Sequence, residues 1–195
     1  MEIPSQPQAS SEPVKRFPRL DNQELIKSSF WISQVFMIIA TVAGVYLAAQ
    51  EGLSQAITFD TLTNKQNNYY LRHALYDEVS DNVELLNEYR ENIVGKPTST
   101  IRNLHPNMAT FVWENMRYSQ YTLETPSAIL SETRRFYMQA EDIVNKIESR
   151  VYGAQYGGGL LKALTEKIST QTLPALKANY TELADELKRN DIIVE

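Results

Sequence analysis

At 195 residues the chain has room for one modest folded domain together with an anchor or a tail. A net charge of −5 argues against non-specific attraction to nucleic acid or acidic lipid headgroups, and the absence of cysteine excludes disulfides and thiolate metal sites. The hydrophobic fraction of 43% and charged fraction of 22% are ordinary for a globular protein, but one window holds nearly all the aliphatic density.

Pro4, Pro7, Pro13 and Pro18 stand amid Ser, Gln and Glu. Proline at that density denies the backbone the donors and φ freedom a helix needs, and few apolar groups offset the entropy of ordering. Residues 1–21 are therefore read as a disordered cytoplasmic tail. Asp21 and Asn22 supply a helix start, so an anchor helix is expected over residues 22–52. Its residues 28–50 carry no charge, and the centre runs Val35-Phe36-Met37-Ile38-Ile39-Ala40. About 20 helical residues cross the roughly 30 Å hydrocarbon layer. The aliphatic residues outweigh the polar cost of Gln34 and Thr41, and Trp31 and Tyr46 sit near the two ends, at headgroup level. A cleaved leader is disfavoured, because its apolar run would be shorter and a cut after Ala49 puts Leu47 at the −3 position. Lys15, Arg16, Arg19 and Lys27 precede the span and only Lys65 follows closely, so the N-terminus is expected in the cytoplasm and the rest of the chain beyond the membrane. Ala40, Gly44 and Ala48 recur every four positions and form a candidate packing face within the bilayer.

Residues 53–195 read as an extracytoplasmic domain, an antiparallel bundle of about four helices. In the first, Leu75, Val79, Asn82, Leu86, Tyr89 and Ile93 follow steps of four and three, the seam of a bundle or coiled coil. Gly95 and Pro97 stop it, and it can run back unbroken into the anchor. Asn82 is the polar member of the seam: it either fixes register or partner choice or hydrogen-bonds within the bundle. A second helix is expected over residues 108–119, capped by Asn107, with Phe111, Val112, Asn115 and Met116 inward. A third opens with Thr125 as cap and Pro126 at its first position. Ile129, Thr133, Phe136, Ala140, Ile143, Ile147 and Val151 mark its stripe. Residues 152–159, with Gly157-Gly158-Gly159, read as a flexible connection, and Tyr152 and Tyr156 as a candidate contact loop. The fourth begins at Leu160, carries Leu161, Leu164 and Ile168, and is ended or kinked by Pro174 before Leu176, Tyr180, Leu183 and Leu187 continue the stripe.

The search for chemistry yields no candidate catalytic residue, cofactor or metal site. His73 and His105 belong to no HExxH or di-iron motif. The glycine run lacks the Lys and hydroxyl of a phosphate loop. Asp77, Glu78, Asp81, Glu84, Glu88 and Glu91 read as a solvated acidic face. Eleven tyrosines suit either contact surface or core rim.

Residues 44–49 (Gly44 to Ala49), the stretch from Leu71 to Tyr89 and the run Val112-Trp113-Glu114 resemble an uncharacterised bacterial family of single-pass, N-terminally anchored helical proteins of unknown function. In that family a helix of apolar–Glu–Asn character follows the membrane closely, as residues 75–82 do here. The resemblance implies the inner membrane of a bacterium with a periplasmic domain, and no activity. The expectation is a non-enzymatic interaction or accessory subunit with a protein partner or a second copy of itself and no nucleic acid. The alternative is a ligand-binding sensor that signals through a partner; an enzyme is disfavoured.

Overall fold

The computed structural model describes residues 28–194, apart from the side chains of Thr98 and Ser99. The expected tail, its prolines, the helix start at Asn22 and the basic residues before the span lie outside the described residues. All the regular structure among the described residues is helical: α1 (Ser28–Ile93), α2 (Thr98–Arg102), α3 (Phe111–Met116), a 3-10 turn (Gln120–Glu124), α4 (Ser127–Glu148), α5 (Ala154–Lys167), a π-helical segment (Ile168–Thr172) and α6 (Leu173–Lys188). By its contacts the chain divides into two units, Met1–Ser54 and Gln55–Glu195.

The first unit contributes the apolar start of α1, the one described helix long and apolar enough to cross a membrane. Its most apolar window has a mean hydropathy of 2.0, and none of that window is buried by protein. A core helix of similar composition would be covered. From Trp31 to Glu51 the helix rises about 30 Å at about 1.5 Å per residue, the thickness of the hydrocarbon layer.

In the second unit α1 lays its seam into the core: Leu75, Val79, Asn82, Leu86, Tyr89 and Ile93 are all buried. Ile129, Phe136, Ala140, Val144 and Ile147 of α4 join them, with Leu161 and Leu164 of α5, Leu173 and Leu176 of α6, and Ile101 and Met116 from the shorter helices. Fully burying each large aliphatic side chain contributes about 1.5–3 kcal/mol. Gly95 stops α1 with φ +73°, a left-handed conformation suited to glycine, and Lys96 N–H returns to Ile93 C=O at 3.2 Å.

Several local expectations are corrected. The second helix is six residues long, with Phe111 78% exposed and Asn115 also outward. A further short helix, α2, precedes it. The Thr125 hydroxyl does not cap α4: it is buried without a hydrogen-bond partner among the described residues, and α4 begins after Pro126. Val151 is exposed because α4 ends at Glu148, and Val144 takes the inward position beside Ile143. Most substantially, the glycine run is no flexible connection. Gly157, Gly158 and Gly159 lie inside α5, and Gly157 packs so closely on α4 that a Cβ there would overlap Ile147 Cγ1 and approach its Cδ1 to 2.7 Å. Of the two outcomes expected at Pro174, an end or a kink, the helical path does not end there; it is interrupted by the π-helical segment just ahead, which widens the turn where a proline would otherwise collide with the preceding carbonyls.

Candidate functional site

The most unusual stretch of the second unit is residues 109–124, a short helix and a 3-10 turn fastened at both ends by polar side chains of α1. Near its start, Asn82 is 1% exposed and meets the Ala109 backbone twice, its Nδ2 donating to Ala109 C=O at 2.6 Å and its Oδ1 accepting from Ala109 N–H at 2.8 Å. One turn earlier, the Glu78 carboxylate accepts from Val112 N–H at 2.6 Å and Trp113 N–H at 3.0 Å. Those amides are the N2 and N3 donors of α3, the groups an N-cap side chain ordinarily satisfies. Thr110 holds the cap position but donates to Glu114 instead. The Tyr137 hydroxyl of α4 closes the network, donating to Glu78 Oε1 at 2.8 Å and accepting from Asn82 Nδ2 at 3.2 Å. Burial first, and the neighbouring Glu78 second, push the Tyr137 phenol far above its ordinary range, so it stays a hydrogen-bond donor.

At the other end, Arg72, 4% exposed, donates to Glu124 C=O at 2.6 Å, to Asn179 Oδ1 of α6 at 2.8 Å and to Asn68 Oδ1 at 3.3 Å. Asn68 Nδ2 reaches Glu124 Oε2 at 2.5 Å, and Asn67 Nδ2 reaches the Tyr121 hydroxyl at 3.0 Å. Burial lowers the Arg72 guanidinium from its usual value while Glu124 and Glu182 act in the opposite sense. Buried polar groups cost free energy unless paired, so these two clamps hold the segment in one position. Among the side chains it presents outward are three large apolar ones, Phe111 at 78%, Tyr118 at 87% and Leu123 at 91% exposure, beside the polar Glu114, Asn115, Arg117, Gln120 and Glu124.

No protein-family model, curated protein or solved structure matches the chain. The geometry alone therefore carries the functional reading.

The residues singled out in the sequence fall in separate places. Ala40, Gly44 and Ala48 lie exposed on α1, and nothing among the described residues stands within 4 Å of a Cβ placed at Gly44. Asn82 makes its hydrogen bonds inside the chain. Tyr152 lies in the turn before α5 and Tyr156 in its first turn, their rings edge-to-face at 5.1 Å, with Tyr156 62% exposed. His73 stacks on Tyr180 at 4.7 Å, and His105 Nδ1 lies 2.7 Å from Glu148 Oε1. Among the described residues no group of three or more His, Cys, Asp or Glu is placed to hold a metal. Glu78 leaves the acidic face to which the sequence assigned it: Asp77, Asp81, Glu84, Glu88 and Glu91 are all exposed, and Glu78 is 6% exposed. Its signal was available, since position 78 adjoins Val79 in the seam and lies four before Asn82, on the inner side of the helix.

The core also contains a titration that can be measured. Tyr89 is 3% exposed, its hydroxyl has no hydrogen-bond partner among the described residues, and burial reinforced by the Glu148 charge pushes its pKa up to about 12. A phenol is neutral when protonated. Its folded pKa stands above the ordinary value near 10, so its contribution to stability is intact below about pH 10 and is lost as pH rises through about 12. Tyr89→Phe is expected to move the midpoint of alkaline unfolding upward and leave stability at neutral pH undiminished. Circular dichroism against pH checks this, and an unmoved midpoint would show that Tyr89 is not among the groups driving that transition.

Proposed function

We propose that the protein is a single-span subunit of the bacterial inner membrane, with its N-terminus cytoplasmic and its helical domain, an antiparallel bundle, in the periplasm. There it binds and stabilises a partner membrane protein complex without catalysing a reaction. The observation that carries this reading is the clamped segment displaying Phe111, Tyr118 and Leu123. Large apolar side chains held outward on an immobilised backbone suit a contact surface, because little ordering entropy remains to be lost on binding. The exposed apolar length of α1 supports the membrane part of the reading, and its Ala40, Gly44 and Ala48 face allows close helix approach within lipid.

The test is purification of the full chain from native membranes in mild detergent, followed by identification of what accompanies it. The wild type is expected to bring down a membrane protein in fixed stoichiometry. Joint replacement of Phe111, Tyr118 and Leu123 by serine is expected to release it while the chain stays folded and membrane-bound. Gly44→Leu, which leaves insertion favourable, reports separately on the span: reduced recovery places part of the interface on that face. If the triple variant retains the partner at wild-type yield, the clamped segment is not the contact surface.

A further inference from the structure

Beside the clamped segment, between α3 and the first turns of α4, lies a cleft of about 210 Å³. Trp113, Met116 and Leu130 form its apolar side, and Arg117, Arg134 and Ser131 its polar side. The walls are fixed from behind. Glu78 holds the Trp113 backbone, the indole stacks on Tyr137 at 5.8 Å and 23°, and Met116 is 1% exposed, with its carbonyl accepting from the Thr122 hydroxyl at 2.5 Å. Glu114, the carboxylate one turn before Arg117, instead accepts a hydrogen bond from Thr110 at the opposite end of α3. Neither Arg117 nor Arg134 makes a side-chain ion pair or hydrogen bond within the described residues.

Two unneutralised guanidinium groups facing one apolar cleft are notable in a chain of net charge −5. Other clefts on the domain contain carboxylates: the one at His105 and Asn107 carries Glu114 and Glu141, and the one along α6 sets Glu182 and Asp185 against Lys177 and Arg189. Guanidinium forks match carboxylate oxygens in number and plane, and a flat indole beside a thioether and a leucine accepts an apolar body. From this we infer that the cleft is a binding site for a small organic carboxylate with a flat apolar body, its carboxylate between Arg117 and Arg134 and its body against Trp113. This goes beyond the partner-binding reading and stands or falls independently of it, because the site uses none of Phe111, Tyr118 and Leu123.

Trp113 can report on the site directly. Trp31 is the other of the two tryptophans, so Trp31→Phe leaves Trp113 as the single indole emitter. The full chain carrying that change, in non-ionic detergent at low salt, is titrated with phenylacetate, phenylacetamide and inorganic phosphate. Phenylacetate is expected to change the Trp113 emission saturably, with phenylacetamide and phosphate each binding at least about tenfold more weakly. Adding Arg117→Gln or Arg134→Gln, both at exposed positions, is expected to weaken phenylacetate by about tenfold. No saturable response to phenylacetate overturns the site. Equal binding of the amide overturns the role of the arginines, and equal binding of phosphate overturns the ligand class. Unchanged affinity in both arginine variants, with circular dichroism matching the parent, overturns the assignment of the residues.

Discussion

Glu78→Ala is expected to lower the stability of the helical domain by about 3–5 kcal/mol. The substitution removes the acceptor for three donors at once: Val112 N–H, Trp113 N–H and the Tyr137 hydroxyl. Each unsatisfied buried donor costs about 1–3 kcal/mol, and the sum is moderated because Val112 and Trp113 are only partly buried and can recruit water. A general loss of packing would give a similar number, so the distinguishing readout is local. Amide exchange at Val112 and Trp113 should accelerate more than at the α4 core, and Trp113 emission should shift to longer wavelength as α3 loosens. Glu78→Gln should fall between the wild type and Glu78→Ala, since one carbonyl oxygen remains to accept while the added amide hydrogens point at existing donors. Denaturant unfolding of the full chain in mild detergent gives the stability. A loss under about 1 kcal/mol, with unchanged exchange at Val112 and Trp113, would mean that Glu78 is not the cap of α3.

Gly157→Leu and Gly159→Ala should act in opposite directions although they lie two residues apart in α5. Glycine in a helix interior is worth about 1 kcal/mol less than alanine, so filling an open position stabilises. Gly159 is exposed, with open space for at least 4 Å around the point a Cβ would occupy, and Gly159→Ala should raise stability by up to about 1 kcal/mol. Gly157 has no such room. Any Cβ there overlaps Ile147, itself 1% exposed and unable to move aside without displacing core neighbours. Gly157→Leu is expected to cost about 3 kcal/mol, the upper end for overpacking. Thermal unfolding of both variants decides the matter. Equal gains at the two positions would show that α4 and α5 do not meet at Gly157.

The all-helical character and the apolar start of α1 were legible in the sequence, because periodicity and an uncharged run are local signals. The seam of α1 was readable position by position, since burial there follows the 3.6-residue repeat from Leu75 to Ile93. The glycine run was not. Three consecutive glycines favour a loop on propensity alone, and the counterweight is the space left by Ile147, a contact made across two helices. Likewise, nothing local to residues 108–119 shows that its helix will be cut to six residues. The cap comes from Glu78, more than thirty positions earlier, and the Asn107 that looked like a cap is not used as one. The clamp residues Asn68, Arg72 and Glu78 were missed because charged and amide side chains on a helix are usually solvated; for Asn68 and Arg72 only the tertiary arrangement shows them facing inward, whereas the place of Glu78 beside the seam was a signal that its charge outweighed. The cleft at Arg117 and Arg134 was also hidden, being assembled from α3, the 3-10 turn and α4.

The π-helical segment Ile168–Thr172 changes the angular phase of everything after it. A stripe obeying the 3.6-residue repeat through Leu161, Leu164 and Ile168 would next face inward near positions 172, 175 and 179. Thr172 keeps to that repeat, but Leu173 is buried with it, Leu176 is buried where Ala175 is exposed, and Asn179 and Tyr180 are both partly buried, so beyond Thr172 the stripe runs late by up to about one residue. One residue is about 100° of rotation. In an uninterrupted α-helix the same sequence would turn Leu176 and Tyr180 away by up to that angle, drawing the Tyr180 ring off its stack on His73. The single slipped turn thus aims the whole C-terminal helix.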